Sequence, residues 1–187
     1  MGLSGMDRIG ERVTHDPRFV VALENRRFEG LPVLLFVILY DFQLKNITMI
    51  NSTAKAQWNG VVKSGNGEMV TGGVPFPYSF NSRMEGGAGS TPEGMLAAAL
   101  SGCYSMAISG SLERAGFPPQ QVNTAGTAHF DNIGGAWTVV SIDLDVKANV
   151  PGIDDAKFQE IAQATKSTCP VSRALTAVQI NVSASLV

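Results

Sequence analysis

Two periodicities divide the chain. From Ala54 onward apolar and polar residues mostly alternate in short runs broken by Gly, Asn and Pro, the period-two mark of half-buried strands. The cleanest alternation runs from Trp137 to Val146. It sets Thr138, Val140, Ile142, Leu144 and Val146 on one face and Ser141, Asp143 and Asp145 on the other. Val122 to Phe130 reads as the preceding strand, with a turn over Asp131 to Gly135 making a hairpin. An earlier hairpin is expected from AKAQWNGVVKS, a Gly65-Asn66-Gly67 turn and EMVTGG, followed by a connection punctuated by Pro75 and Pro77 that leads into YSFNSRMEGG. Between Ser90 and Ala115 the period changes to that of a helix. Thr91 is an N-cap, Pro92 fits the first helical position and Glu93 suits the positive helix start. The body, MLAAALSGCYSMAISGSL, is small and apolar on every side, which predicts a helix buried all round; Gly116, Pro118 and Pro119 end it. Asp154 is expected to cap an amphipathic helix carrying Phe158, Ile161 and Ala162. That helix stops by Cys169-Pro170, since the residue before proline avoids helical geometry. A short helix around Ser172 to Ala177 and a strand from Val178 to Ala184 complete an α+β pattern, with antiparallel strands around a buried central helix.

The character of the chain changes near Met49. Residues 1–48 alternate charged and apolar residues and read as an accessory extension, a short helix from Pro17 to Arg27 and then a strand; residues 49–187 read as the domain proper. The stretch LPVLLFVILY (Leu31 to Tyr40) is about half the length a spanning helix needs, and Asp41 and Lys45 close it off. The charged residues before it argue against a signal peptide, so no membrane association and a cytoplasmic location are expected. The net charge is −2, from 14 Lys and Arg against 16 Asp and Glu, with no basic cluster, which excludes strong nucleic-acid attraction. Charged residues make up 16% of the chain, below the roughly 25% usual for soluble domains. So few charges would leave apolar surface on a monomer, and a sizeable interface, most simply a two-fold dimer, is expected.

Two cysteines, Cys103 and Cys169, are too few for a disulfide scaffold. Without a C-x-x-C pair or a nearby histidine they also make a poor zinc site. Between Glu85 and Glu113 the one charged side chain is Glu93, which at the head of a buried helix needs a partner. Arg83 lies ten positions before it and Cys103 ten after. An arginine held by a carboxylate and aimed at a thiol would stabilise the nucleophilic thiolate. On the other reading Glu93 merely favours the helix dipole, Arg83 is a solvated strand residue and Cys103 fills the core. Cys169, at a helix boundary and flanked by Lys166 and Arg173, is expected to have its pKa lowered by those cations and by the start of the following helix. Two thiols in unlike surroundings suggest one attacking and one resolving, or two groups that never meet. His129, mid-strand, reads as structural and His15 as surface. Trp58, Trp137, Met84, Met95 and Met106 read as core or interface, while Phe80 and Met84 beside Arg83 are candidates to line an apolar pocket.

Taken together, PYSFNSRMEG, TPEGMLAAALSGCYSMAIS and STCPVSRAL resemble the osmotically inducible protein C family of hydroperoxide peroxidases, over roughly Ala54 to Val187. FNSRMEG and CPVS are spelled more like that branch than like the sister organic-hydroperoxide-resistance branch. The resemblance implies an intertwined α+β homodimer, with antiparallel sheets wrapped around central helices and active sites at the subunit interface. It further implies that Cys103 is the peroxidatic thiol, Cys169 the resolving thiol that forms a disulfide with it, Arg83 the activating cation and Glu93 the carboxylate that fixes Arg83. The expected activity is reduction of organic hydroperoxides, and more weakly of hydrogen peroxide, in oxidative or osmotic stress defence. No bound cofactor or metal is implied, and an external thiol or dithiol reductant would recycle the enzyme. Gly94 departs from the family pattern, where a larger polar residue is expected, and is a candidate to loosen the first helical turn. A non-catalytic dimeric module that binds an apolar small molecule, with inert thiols, is the alternative. A cysteine hydrolase is weaker still, because neither His15 nor His129 stands in a base motif.

Overall fold

In the computed structural model, which describes residues 49–187, the first three strands form an antiparallel meander: β1 (Ala54–Asn59), β2 (Asn66–Thr71) and β3 (Val74–Ser79). The extension 1–48, with its expected helix over 17–27 and the strand after it, lies outside the described residues. The first hairpin turns earlier than the glycines suggest. The loop occupies residues 60–65, closed by Gly65 N–H donating to Val61 O (2.7 Å) and Trp58 Nε1 to Gly60 O (3.0 Å), so Asn66 and Gly67 already belong to β2. The expected proline-rich connection is itself a strand. Pro75 and Pro77 pair with Val70 and Glu68, and their backbone turns away from β2: Pro77 O accepts from Ser90 N–H and Oγ on the outer edge (2.8 and 2.9 Å). At such an edge the missing amide hydrogens break no ladder bond.

A five-residue helix, α1 (Phe80–Met84), follows directly, where the sequence pattern gives no element. Its start is a capping box in which Ser79 and Ser82 each bond the other's backbone N–H. The long helix α2 (Pro92–Arg114) matches its expected bounds within about two residues, the usual uncertainty of helix ends. Thr91 Oγ1 accepts from Gly94 N–H at 2.8 Å, so Gly94 leaves the cap intact. By length and composition α2 could cross a membrane, yet it is the core helix of this fold. Leu100, Tyr104, Ile108 and Leu112 are fully buried with Ile142, Val146, Phe158 and Ala162.

The second sheet has the order β4-β5-β6, with β4 (Gln121–Ile133) antiparallel to β5 (Ala136–Asn149). Two helices, α3 (Asp155–Thr168) and α4 (Pro170–Ala174), then carry the chain across to β6 (Gln179–Leu186). The crossover brings β6 back parallel to β5, so the sheets are not antiparallel throughout. Asp154 caps α3 as expected, its Oδ1 accepting from Lys157 N–H at 2.9 Å.

Helix α2 sits on β4 at Gly126, where a Cβ would lie 2.4 Å from Ser101 Oγ and 2.9 Å from Ala97 O. Beside it Ser105 Oγ donates to Thr124 Oγ1 (2.7 Å), and on the far side Tyr104 Oη donates to Ala162 O (2.6 Å). The expectation of burial all round holds for one stripe of α2. The opposite stripe of Ala99, Gly102 and Met106 is exposed in the single chain, Met106 to 79%. Two sequence expectations shift in β5. Ile142, Leu144 and Val146 face the helices, but a bulge at the His129/Phe130 step pairs His129 with Ser141 and Phe130 with Val139. The extra residue, Val140, reverses the phase, so Val139 rather than Thr138 or Val140 packs toward the core.

Replacing Gly126 with Ala is expected to force α2 off β4 and to destabilise the protein by about 1–3 kcal/mol. Chemical denaturation, read as the midpoint at unchanged slope, measures this; an unchanged midpoint would contradict the close approach.

Candidate functional site

Arg83 stands in the last turn of α1, not on a strand, and the residue before it sets its position. Ser82 Oγ donates to Ser79 O (3.1 Å) and Ser90 O (3.0 Å), pinning α1 to the segment that enters α2. Gly87 lets that segment fold over Asn81, whose Oδ1 lies 1.4 Å from where a Cβ would be. Arg83 then meets Glu93: Nε donates to Oε1 and Oε2 (3.0 and 3.2 Å), and Nη2 to Oε1 (2.5 Å). The buried carboxylate at the head of α2 therefore has its charge partner, in the forked geometry that favours arginine over lysine. Dipole compensation and the pairing coexist.

Above this pair lies a cleft of about 460 Å³, lined largely by aromatic and other apolar side chains that include Trp58, Tyr78, Phe80, Met84, Phe130 and Trp137, with Arg83. Phe80 and Met84 line it as the sequence suggests. Trp58 and Trp137 line it too, rather than filling the core. The Arg83 guanidinium carbon sits 4.7 Å from the Phe130 ring centroid, and Phe130 stacks on Trp137 at 5.1 Å and 24°.

The two thiols meet. Cys103, partly buried midway along α2, and Cys169, fully buried between α3 and α4, have their sulfurs 3.1 Å apart although 66 positions separate them. No disulfide joins them. Cys169 occupies the N-cap of α4, and its environment divides the pair. Burial pushes Cys169 up, but the nearby Ser172 hydroxyl and amide, Cys103 and the Val171 amide outweigh it and leave the thiol below its ordinary pKa. The Ser172 hydroxyl oxygen is buried and has no partner in hydrogen-bonding geometry among the described residues. Lys166 and Arg173, the cations expected to act on Cys169, are not the cause; Lys166 Nζ instead donates to Ile180 O at 2.9 Å, tying α3 to β6. Cys103 is raised, chiefly by burial; the Val171 amide pulls it down, and the hydrogen bond and charge of Cys169 add smaller pushes upward.

The chain thus forms an Arg83–Glu93 pair and a Cys103–Cys169 pair. Ten residues of helix, about 15 Å of rise, separate Glu93 from Cys103 along α2. No hydrogen bond or ion pair among the described residues links Arg83 to either thiol. Trp58, Tyr78, Phe130, Trp137 and Ser172 belong to these surroundings although the sequence assigns none of them to a site. The aromatic pair flanking the Gly134-Gly135 turn was the available signal. His129 is structural: its Nε2 lies 2.7 Å from Asp143 Oδ2, and Asn181 Nδ2 donates to Asp143 Oδ1 at 2.7 Å across the outer face of the sheet. No group of three His, Cys, Asp or Glu side chains among the described residues is placed to hold a metal ion.

Residues 85–183 match the family model described as OsmC-like protein. Peroxiredoxin OsmC of Escherichia coli (strain K12) is 39% identical over 131 residues, covering 68% of this chain and 92% of the relative. Among solved structures, an OsmC-like protein from Mycoplasma pneumoniae superposes with a TM-score of 0.61 at 14% identity, covering 75% of this chain and 99% of its own. The organic hydroperoxide resistance protein OhrB of Bacillus subtilis does so at 0.53 and 23% identity, covering 72% and 98%. The fold is the one these structures share, and the chain belongs to the OsmC family.

Proposed function

We propose that this cysteine-based peroxidase reduces organic hydroperoxides in preference to hydrogen peroxide, with Cys103 as the attacking thiol and Cys169 as the resolving one. The observation that carries the reading is the meeting of the two sulfurs at 3.1 Å across 66 positions. Inert core thiols would gain nothing from such contact. The Cys103 thiolate attacks the distal oxygen of ROOH; the O–O bond breaks, the alkoxide takes a proton and leaves as ROH, and Cys103 becomes a sulfenic acid. The Cys169 thiolate then displaces hydroxide from that sulfur, which leaves as water after taking a proton, and a Cys103–Cys169 disulfide forms. Two equivalents of an external thiol, or one of a dithiol, reopen it by exchange.

In a lone chain burial and the neighbouring Cys169 both work against ionisation of Cys103, the attacking thiol. The exposed Ala99, Gly102 and Met106 stripe and the low charge content support a homodimer in which α2 of each subunit is covered by the other. In that arrangement the Arg83–Glu93 pair of one subunit serves the thiols of its partner, and the added positive charge moves ionisation from Cys169 to Cys103.

Treating the reduced protein with cumene hydroperoxide is expected to remove two thiols per chain and yield a Cys103–Cys169 disulfide by mass spectrometry. Hydrogen peroxide should act more slowly, and Cys103→Ser should abolish the disulfide; survival of both thiols would end the peroxidase reading for these residues.

The two-chain site has its own test. Mixed, unfolded and refolded together, inactive Arg83→Ala and Cys103→Ser chains should recover part of the activity, since the mixed dimer holds one intact site. No recovery would place the whole site in one chain.

In the Arg83→Ala background, where no added cation moves ionisation onto Cys103, Cys169→Ser removes the charge and hydrogen bond that raise Cys103. The pH midpoint for alkylation of Cys103 is therefore expected to fall relative to Arg83→Ala alone. Alkylation rates against pH read this, and a midpoint that rises would mean that Cys169 donates to Cys103 rather than opposing it.

A further inference from the structure

The Arg83 guanidinium has two partners in its own chain, and they restrain different motions. Glu93 grips the edge formed by Nε and Nη2, and Nη1 has no protein partner among the described residues. A fork gripped along one edge can still rock about that edge. The Phe130 ring, 4.7 Å away, offers its electron-rich face to the cation and limits the rocking.

Phe130 is itself held from two sides. Trp137 stacks behind it. On the outer face its neighbour His129 bonds Asp143, which Asn181 holds from β6, so the strands are stitched together beside the bulge. The bulge does the aiming. By absorbing Val140 it brings Val139 and Trp137 opposite and diagonal to Phe130 on the cleft side, where an unbroken ladder would have set Thr138 and Val140.

We propose that Phe130 is a positioning residue for Arg83: the ring face holds the guanidinium plane so that the edge left free by Glu93 points at the reacting thiol and peroxide. This rests on the reading in which Arg83 activates Cys103. Phe130 acts through Arg83 and touches no reacting atom itself.

The experiment replaces Phe130 with mono-, di- and trifluorinated phenylalanine in the full chain, which weakens the negative ring face step by step while nearly keeping its shape. The expected result is a stepwise fall in kcat/KM for cumene hydroperoxide, about two- to tenfold across the series, with a parallel rise in the pH midpoint for alkylation of Cys103. Phe130→Leu should lose activity and Phe130→Tyr should restore most of it, as a role in packing alone would not require. In the Arg83→Ala background the alkylation midpoint of Cys103 should no longer change across the fluorine series, the mark of an effect transmitted through Arg83. A flat series in otherwise wild-type protein, with Arg83→Ala inactive, would overturn the role of Phe130 and leave the activating role of Arg83 standing. An Arg83→Ala protein as active as wild type would overturn both.

Discussion

A carboxylate buried at the head of an apolar helix has to find a cation, and much of the arrangement between β3 and α2 exists to supply one. Glu93 cannot be solvated where it lies, and leaving it unpaired would carry the full penalty of a buried charge. The local chain meets that demand in steps. The prolines of β3 leave an outer edge to which Ser90 can bond; the Ser79–Ser82 capping box starts a helix just long enough to reach Arg83; Ser82 fastens that helix to the entry of α2. Each step is a hydrogen-bonding requirement of the one before it, and the forked Arg83–Glu93 contact is where they end.

The same helix separates what it supports. Its first turn carries the charge pair, and its middle carries Cys103 on the flank of the buried Leu100, Tyr104, Ile108 and Leu112 stripe. Rigidity forbids Glu93 and Cys103 from coming together within one α2, because the rise between them is fixed. A second copy packed on the open Ala99, Gly102 and Met106 stripe would remove that obstacle without bending anything, and the proposed function uses it for that reason. The order of the two thiols points the same way. Cys169, at the N-cap of α4, has the start of that helix and Ser172 to lower it, whereas Cys103 has burial and the neighbouring Cys169 against it. Within one chain the pair is set up for resolution, and attack by Cys103 requires positive charge from outside.

The legible parts of the molecule are those governed by local rules. Thr91-Pro92-Glu93 announces α2, Asp154 announces α3, Cys169-Pro170 marks the break between α3 and α4, and the even-numbered apolar residues of β5 mark its core face. The need of Glu93 for a cation was also readable, because one charge in a long uncharged stretch stands out. What was not readable depends on partners distant in sequence. The proline pattern of β3 looks like a connection until the chain is known to leave it at a sheet edge. The helix α1 is too short to show a period. Of the two causes that the sequence suggests for a lowered Cys169 thiol, the start of the following helix acts and the cations do not, since Lys166 turns toward β6. The 3.1 Å meeting of the thiols follows from α2 and the α3–α4 junction packing together, which no spacing along the chain encodes.

The β-bulge shows how far one such non-local feature can reach. Alternation in β5 is faithful from Ile142 onward and would have extended through Val140 and Thr138 had the ladder been regular. One extra residue reverses the phase, and Phe130 then faces Val139 with Trp137 on its diagonal. That exchange converts the end of a hairpin from a continuation of the core sheet into one wall of an aromatic cleft with a guanidinium against it. The polar stitch through His129, Asp143 and Asn181 lies on the opposite face at the same level, where it resists slippage back into regular register. A strand that obeyed its sequence pattern to the end would keep a better ladder, but it would give Arg83 no aromatic surface on which to lie.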